Sequence, residues 1–351
     1  MSMFRSKIIV ILEKFNLDIK MRNEILYRIQ KNFPLTKRPF FKIAQELNIS
    51  EEEVLKILQD EKKNKIIRQT SAILDTKKLG FTSSLVAFEV KEENINKAVE
   101  ILNSHPGISH NYERNHRYNI WFTLAISPNS KTTLEKTVKC LANLCKAEDY
   151  IVLPTLKLFK ISVKLDTTNK QDKKEKVINK EFKTMQLNQI HLNVIKEIQN
   201  DIEFISEPFK HIVEKLNLDY KEFFTILKQF EECGIMRRFA SILNHRQAGF
   251  NANAMVVWDI EEKDASKIGK IAASFSNVSH CYLRPKYKNW NYNLFTMIHG
   301  KTQKETNEVI KNIEKEIDYK SNLPLYSSKE FKKTRIKYFS DDFKLWEDKY
   351  L

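Results

Sequence analysis

Two homologous halves, each a winged helix-turn-helix followed by a ferredoxin-like domain, are the α+β fold that this sequence predicts. Three observations lead to it: a duplicated segment, a three-helix pattern that precedes each copy, and a β-α-β-β-α-β order of elements that follows it. The chain has 351 residues, of which 42% are apolar. That length is sufficient for several domains with their own hydrophobic cores.

The duplication is visible in two stretches of the chain. Residues 66–81 read IIRQTSAILDTKKLGF, and residues 235–250 read IMRRFASILNHRQAGF. Residues 108–124 (ISHNYERNHRYNIWFTL) match 278–296 (VSHCYLRPKYKNWNYNLFT), with an insertion from Pro285 to Trp290 in the second copy. Repetition over this length indicates two copies of one structural unit.

Each half begins with three predicted helices and an alternating segment, which together are typical of a winged helix. Ser50 is at the N-cap of the third helix with Glu53 at the capping-box position, and Asp219 caps the counterpart. The other predicted bounds are Asp18–Lys31, Pro39–Leu47 and Ile66–Leu74 in the first half, and Asn188–Asn200, Pro208–Leu216 and Ile235–Leu243 in the second.

The remainder of each half has the split βαβ order of a ferredoxin-like domain. In the first half we predict strands at Ser83–Val90, Ile108–Glu113, Tyr118–Ile126 and Tyr150–Val163, and helices at Ile95–Ser104 and Leu134–Leu144. The second half repeats the order from Ala252 to Arg335.

Seven segments follow from these elements. The stretch from Lys164 to Lys183 is polar and lysine-rich and separates the halves as a linker, and the tail from Tyr338 to Leu351 is expected to form a short docking helix. The predicted segments are 1–15 (extension), 16–79 (winged helix), 80–165 (ferredoxin-like), 166–184 (linker), 185–248 (winged helix), 249–336 (ferredoxin-like) and 337–351 (tail).

Composition narrows the class of protein. We find no apolar run long enough for a membrane span and expect no signal peptide. The four cysteines form no C-x-x-C pair, so we expect free thiols in the cytoplasm and no metal site. The net charge of +15 favours an anionic partner, which is either nucleic acid or a small molecule with many carboxylates.

The duplicated segment carries a polar pattern that burial does not require. His110, Tyr112 and Arg114 are spaced two apart, and His280, Tyr282 and Arg284 repeat the spacing. We call these sets the two His-Tyr-Arg trios. Side chains two apart on a strand share one face, so each half directs an imidazole, a phenol and a guanidinium the same way. We interpret the trios as functional and expect a structural role for the single histidines His116, His191, His211 and His299.

The winged helix plus ferredoxin-like order resembles the Lrp/AsnC family of transcription regulators. The segments 109–123 and 279–300, rich in His, Tyr, Arg and Trp, resemble signatures of the sirohaem (siroheme) decarboxylases within that group. In that family two homologous subunits commonly pair, and this chain is similar to a fusion of both. The resemblance implies loss of carbon dioxide from two acetate side chains of sirohaem, in haem or haem d1 biosynthesis, with no cofactor beyond the iron of the substrate.

The chemistry implied by the resemblance assigns roles to the trios. His110 and His280 are expected to donate a proton or ligate the iron, and arginine suits carboxylate binding because its planar fork matches two oxygens. Arg114 and Arg284 are therefore expected to clamp carboxylates. The other candidate substrate contacts are Tyr112, His116, Asn119, Trp121, Arg237, Arg238, His245, Tyr282, Tyr287, Trp290, Tyr292 and Asn293.

Two other functions stay open at this point: a DNA-binding transcription regulator and a non-catalytic tetrapyrrole sensor. Glu51, Glu52 and Glu53 occupy the first turn of the presumed recognition helix and would repel a phosphate backbone, so we expect no DNA binding. The halves form an intramolecular pseudo-dimer, or two chains associate. Whether one or both halves react, and the order of the two decarboxylations, are also left open.

Replacing His280 or Arg284 with alanine tests the assigned roles. We expect both variants to fold and to lose most decarboxylation, with His280→Ala slowing the chemical step and Arg284→Ala weakening substrate binding. Steady-state kinetics with sirohaem separate the two effects. Variants that turn over at the parental rate would contradict the assignment.

Overall fold

The computed structural model describes residues 19–31, 33–161, 182–244 and 252–351. The chain divides into two compact units, and each contains a part of both halves. The helical unit comprises Met1–Leu79 and Phe182–Asn244, and the sheet unit comprises Gly80–Glu181 and His245–Leu351. The two winged-helix segments therefore lie in one unit, and the two ferredoxin-like segments lie in the other. The predicted α+β class and its duplication are confirmed.

The elements follow the predicted order in both halves. In the first half they are α1 (19–31), α2 (Pro39–Leu47), α3 (Glu51–Lys63), β1 (Ile67–Leu74), β2 (Thr82–Glu89), α4 (Ile95–Ser104), β3 (Ile108–Arg114), β4 (Ile120–Ile126), α5 (Leu134–Cys145), β5 (Asp149–Pro154) and β6 (Lys157–Ile161). In the second they are α6 (Gln189–Ile198), α7 (Lys210–Lys215), α8 (Tyr220–Glu232), β7 (Met236–Leu243), β8 (Ala252–Asp259), α9 (Ala265–Ser274), β9 (Val278–Leu283), β10 (Leu294–Gly300), α10 (Gln303–Glu314), β11 (Ser321–Lys333) and α11 (Asp342–Tyr350).

The two predicted helix caps in the helical unit are confirmed. Ser50 Oγ accepts a hydrogen bond from the Glu53 amide at 3.2 Å, and Glu53 accepts one from the Ser50 amide at 3.0 Å. Asp219 and Glu222 make the same reciprocal pair at the start of α8. Each box satisfies two amides that the first turn of a helix leaves without partners.

In the helical unit, the two winged-helix segments share one core. Strands β1 and β7 pair with each other in an antiparallel sheet, and Thr70 Oγ1 lies 2.6 Å from Ser241 Oγ across them. Phe33 of the first half contacts Phe209 and Phe239 of the second, at ring-centre distances of 6.4 and 5.0 Å. Neither segment completes this core by itself.

The sheet unit has nine strands in the order β5-β2-β4-β3-β11-β8-β10-β9-β6. The first four and the next four each have the strand order of a ferredoxin-like domain. Strand β11 joins them because its residues Ser321–Tyr326 pair with β8 and its residues Ser327–Lys333 pair with β3. One half therefore supplies a strand segment to the sheet of the other.

The predicted single strand Tyr150–Val163 is wrong. The structure divides it into β5, which pairs with β2, and β6, which pairs with β9 of the second half. Pro154 is the last residue of β5, and residues 155 and 156 separate it from β6. Tyr326 has the matching register position in β11, which continues without a break from its pairing with β8 to its pairing with β3. Residues 162 and 163 lie outside the described residues.

Both faces of the sheet are covered by apolar clusters. Helices α4 and α5 pack on one face of the first half, and α9 and α10 on the corresponding face of the second. The opposite faces contribute to one common inner cluster, which contains Trp121 and Leu153 of the first half and Val257, Trp290 and Phe295 of the second. The inner cluster is thus formed jointly by both halves.

The expected docking helix of the tail is present as α11. Trp346 is 5% exposed, belongs to the first-half helix core and lies 4.3 Å from the His105 ring. Glu347 accepts hydrogen bonds from the Ser130 hydroxyl and the Lys131 amide. Burial lowers the pKa of His105 to about 3, so this imidazole stays neutral beneath the helix.

Trp346→Ala tests the contribution of the tail. We expect a loss of about 3–5 kcal/mol in the free energy of unfolding, because a buried indole is replaced by a cavity. The neighbouring Leu345 is 66% exposed, so Leu345→Ala is the matched control and should change stability by less than about 0.5 kcal/mol. Urea unfolding followed by circular dichroism measures both. Equal effects of the two variants would show that α11 is not docked in solution.

Candidate functional site

The first trio forms a column of three side chains on β3. The rings of His110 and Tyr112 stack with centres 6.2 Å apart, and the Arg114 guanidinium carbon lies 5.6 Å from the centre of the Tyr112 ring. Tyr112 stands opposite Trp121 of β4, which is a member of the inner cluster. Because directly opposed residues in an antiparallel pair point to one face, the column faces the inner cluster.

The second trio repeats this column on and just after β9. His280 and Tyr282 stack at 6.0 Å, and the Arg284 guanidinium carbon lies 4.8 Å from the Tyr282 ring centre. Tyr282 packs against the inner cluster. The structure therefore brings each predicted trio together, and it places both on faces that contribute to the same cluster.

Each arginine of the trios reaches into the opposite half. Arg114 Nη1 donates to the backbone carbonyl of Leu325 in β11 at 2.6 Å, and Arg284 Nη1 donates to the carbonyl of Leu153 in β5. The residues are 5% and 8% exposed. The Nε atoms of both guanidinium groups are buried and have no hydrogen-bond partner among the described residues. Each group thus retains donor capacity inside the sheet unit.

The two guanidinium groups are cations in a region of low polarity. Burial lowers the pKa of Arg114 and of Arg284 to about 10, and the nearby tyrosine ring opposes that shift only weakly. Both are protonated at neutral pH. Within the described residues, neither forms an ion pair with an Asp or Glu. A buried cation with no compensating anion destabilises the fold, and an anionic ligand relieves that cost.

A serine precedes the histidine in each trio and bonds to it. Ser109 Oγ lies 2.9 Å from His110 Nδ1 and 2.8 Å from Thr123 Oγ1. Ser279 Oγ lies 2.7 Å from His280 Nδ1 and 2.6 Å from His299 Nε2. Neither serine is among the residues predicted for the site, although the Ser-His pair repeats at 109–110 and 279–280.

The aromatic candidates form the wall between the halves. Trp290 is 2% exposed and contacts His116, Trp121 and Tyr292 at ring-centre distances of 5.5, 5.4 and 5.1 Å. Its indole N–H is buried without an acceptor. The pKa of His116 is lowered, first by burial and then by the charge of Arg117. The insertion in the second half therefore completes an apolar wall that excludes water.

Three other candidates are engaged in structural hydrogen bonds. The Asn119 amide accepts from the Val90 N–H at 2.9 Å and donates to the Val90 carbonyl at 2.7 Å. Asn293 makes the same pair of bonds with Ile260 at 3.0 Å each. Tyr287 donates its hydroxyl to the Val152 carbonyl. The two asparagines therefore fix the ends of the strands that precede helices: β2 before α4, and β8 before α9.

The remaining basic candidates lie elsewhere. Arg237 and Arg238 are on β7 of the helical unit, and Arg237 forms an ion pair with Asp75 at 2.7 Å. The structure thus assigns them to the other unit from the trios. His245 lies outside the described residues.

Two further observations bear on the class of site. Within the described ranges, no three His, Cys, Asp or Glu side chains cluster as metal ligands would. No helix in the described part of the chain has the length and apolarity needed to span a membrane.

Two family models match this chain. The family model of the AsnC-like ligand binding domain matches residues 78–160 and again 247–332, and that of the siroheme decarboxylase NirDL-like HTH domain matches 22–68. The chain is 38% identical to the siroheme decarboxylase of Hydrogenobacter thermophilus over 324 residues, which are 92% of this chain and 96% of that protein.

Shorter relatives and solved structures extend the comparison. The siroheme decarboxylase beta subunit of Methanosarcina barkeri is 36% identical over 42% of this chain and 96% of its own length. The crystal structure of the siroheme decarboxylase NirDL superposes with a TM-score of 0.76 at 33% identity, covering 94% of this chain and 98% of that one. A second crystal structure of NirDL, in co-complex with an iron-uroporphyrin III analogue, gives the same TM-score at 32% identity.

Arg284→Met and Arg114→Met test the cost of the buried charges. The folded-state pKa of about 10 lies below the ordinary 12.5, so the charged native state is disfavoured at every pH below about 10. We expect each variant to raise the free energy of unfolding by about 1–2 kcal/mol between pH 6 and 9, with the gain shrinking above pH 10.

The matched control for this experiment is Arg117→Met. Arg117 is an exposed arginine of the same unit whose ion pairs with Glu89 and Asp149 lie at the surface. Its removal should change stability much less than removal of either buried arginine, because ion pairs at the surface are screened by solvent. Thermal and urea unfolding without ligand supply the measurement. A loss of more than about 2 kcal/mol in the Arg284 or Arg114 variant would show that their charges are already compensated.

Proposed function

The chain belongs to the sirohaem decarboxylase family, and on that basis we propose that it removes two acetate carboxyl groups of sirohaem as carbon dioxide to give didecarboxysirohaem. The reaction makes it a carboxy-lyase. Each step is non-oxidative: an acetate and one proton become a methyl group and carbon dioxide. Carbon balance and charge balance need no oxidant and no further cofactor.

The observation that supports this proposal most strongly is the pair of buried, unpaired guanidinium groups. Sirohaem carries many carboxylates around a flat macrocycle. A carboxylate would meet the unused donors of Arg114 or Arg284 and supply the anion that the described residues do not provide. Since both arginines are held on backbone carbonyls of the opposite half, their positions are fixed before the substrate arrives.

The imidazoles supply the proton. When carbon dioxide leaves, the electron pair of the broken C–C bond stays on the side-chain carbon, and the adjoining macrocycle delocalises part of it. His280 and His110 stand in their columns beside a tyrosine and an arginine, so a carboxylate held by the arginine places its CH₂ carbon along the same face. Proton transfer from imidazole to that carbon completes the methyl group.

The tyrosines and the apolar wall set the environment of the reaction. Tyr112 and Tyr282 lie between imidazole and guanidinium, where a phenol can orient a carboxylate or stack on the macrocycle. Trp121 and Trp290 exclude water behind the columns, which strengthens the electrostatic interaction between guanidinium and carboxylate.

We also propose that the fused halves act as the intramolecular counterpart of paired subunits. Related systems have separate siroheme decarboxylase alpha and beta subunits, which match 41% and 42% of this chain. Here the strand exchange through β6 and β11 and the reciprocal arginine bonds join the two halves. We place the reaction in the cytoplasm because all four cysteines are free thiols, three of them buried.

Anaerobic turnover tests the proposed function. Incubation of the purified full chain with sirohaem should release carbon dioxide, and mass spectrometry should find a product lighter by two carbon dioxide units. The double variant Arg114→Met/Arg284→Met is the control, in which we expect at least about 100-fold weaker binding, since two charge-assisted bonds of roughly 1.5–3 kcal/mol each are lost. Tight binding of unchanged sirohaem by the parental chain would instead identify a sensor.

A further inference from the structure

A second imidazole lies behind the trio of the second half. Ser279 Oγ is 2.7 Å from His280 Nδ1 and 2.6 Å from His299 Nε2. His299 Nδ1 in turn is 2.8 Å from Asn253 Oδ1. Ser279 is 6% exposed, and its hydroxyl also makes a longer contact of 3.4 Å with the Met297 carbonyl. The serine hydroxyl is therefore shared between two imidazoles.

The described residues of the first half have no imidazole at the position of His299, as the register of the strands shows. The His299 amide donates to the Asn277 carbonyl, and the Ala125 amide donates to the Gly107 carbonyl at the same place in β4. Ala125 thus occupies the position of His299. Strand β2 has Ser83 opposite Ala125, whereas β8 has Asn253 opposite His299. Ser109 bonds to Thr123, whose hydroxyl holds no titratable proton near neutral pH.

We propose that Ser279 and His299 form a proton relay to His280, so that the second half protonates the substrate and the first half mainly binds it. This inference rests on the proposed function. Ser279 and His299 act through His280 and are positioning residues. From the sequence alone we predict a structural role for His299, because a single histidine does not reveal which residues it will contact in the folded chain.

In the relay, His280 Nε2–H gives its proton to the carbanionic carbon. At the same time His280 Nδ1 takes the Ser279 hydroxyl proton, and Ser279 Oγ takes the Nε2 proton of protonated His299. His299 is left neutral, with its Nδ1–H donated to Asn253. After the product leaves, water returns one proton to His280 Nε2, and the two inner protons move back through Ser279 to His299. No redox partner is needed.

Charged groups on the neighbouring elements complete the surroundings of the relay. Tyr282 and Arg284 follow on the same strand, and the Lys160 ammonium of β6 donates to the Phe275 carbonyl at 2.9 Å. Lys160 pairs in register with Cys281, on the helix-packed face of the sheet and not on the face of His280. Beyond the end of β10, Glu305 of α10 accepts from the Lys301 amide. Arg284 therefore lies on the same face of the sheet as His280, and Lys160 lies on the opposite, helix-packed face.

Variants of the two serines separate the halves. Ser279→Ala and His299→Gln should lower kcat by about 10–100-fold with KM changed less than about 3-fold, because the proton supply is lost and the carboxylate clamps remain. Ser109→Ala is the comparison variant in the first half, and we expect it to lower kcat less than Ser279→Ala does, since the Ser109 hydroxyl bonds to His110 and Thr123 and its further partner is not a second imidazole. His299→Gln retains a hydrogen-bonding side chain and removes the titratable ring.

A proton inventory tests the relay in the unmodified protein. In mixtures of light and heavy water, the parental rate should fall along a curve, because several protons move in the rate-limiting step. Ser279→Ala should give a straight line, because only the His280 proton moves. A linear parental inventory, or equal losses in Ser109→Ala and Ser279→Ala, would overturn the relay. If the parental chain released no carbon dioxide, the proposed function itself would fail.

Discussion

The whole of the candidate site depends on two arginine side chains that each half places in the other. Arg114 donates to a carbonyl of β11, and Arg284 donates to a carbonyl of β5, so neither guanidinium is positioned until both halves have joined. A single carbonyl bond leaves most of the charge uncompensated in a buried setting. An anionic ligand offsets such a cost, and under the proposed function the carboxylates of the macrocycle are that ligand.

Strand exchange makes that reciprocity possible. The two parts of β11 pair with β8 and β3, and β6 crosses to β9, so the end of each ferredoxin-like domain lies on the sheet of its neighbour. The same exchange places Lys332 and Lys160 on the carbonyls at the ends of the opposite helices α4 and α9. Cations at helix C-termini are favourable, so these contacts help to fix the two halves to each other.

Near-symmetry in the backbone contrasts with asymmetry in the side chains. Both halves retain the trio, the preceding serine and the strand-end asparagine, which together fix a column of polar groups on one sheet face. Trp290 and His299 belong to the second half alone. The Trp290 indole packs in the inner cluster between the halves, and the His299 imidazole bonds to the serine that contacts His280. The duplication thus provides two similar columns of polar side chains, and the second has an additional imidazole behind it.

The sequence by itself determined the local features. Helices α2 and α4 have the predicted bounds, the Ser50 cap forms as expected, and the trios share a face, because these features depend on periodicity and on contacts within a few residues. Only the tertiary structure decided that β1 pairs with β7, that β6 separates from β5 and pairs with β9, and that His299 meets Ser279. Those contacts join residues far apart in the chain, and strand register and packing, which have no local signal, select them.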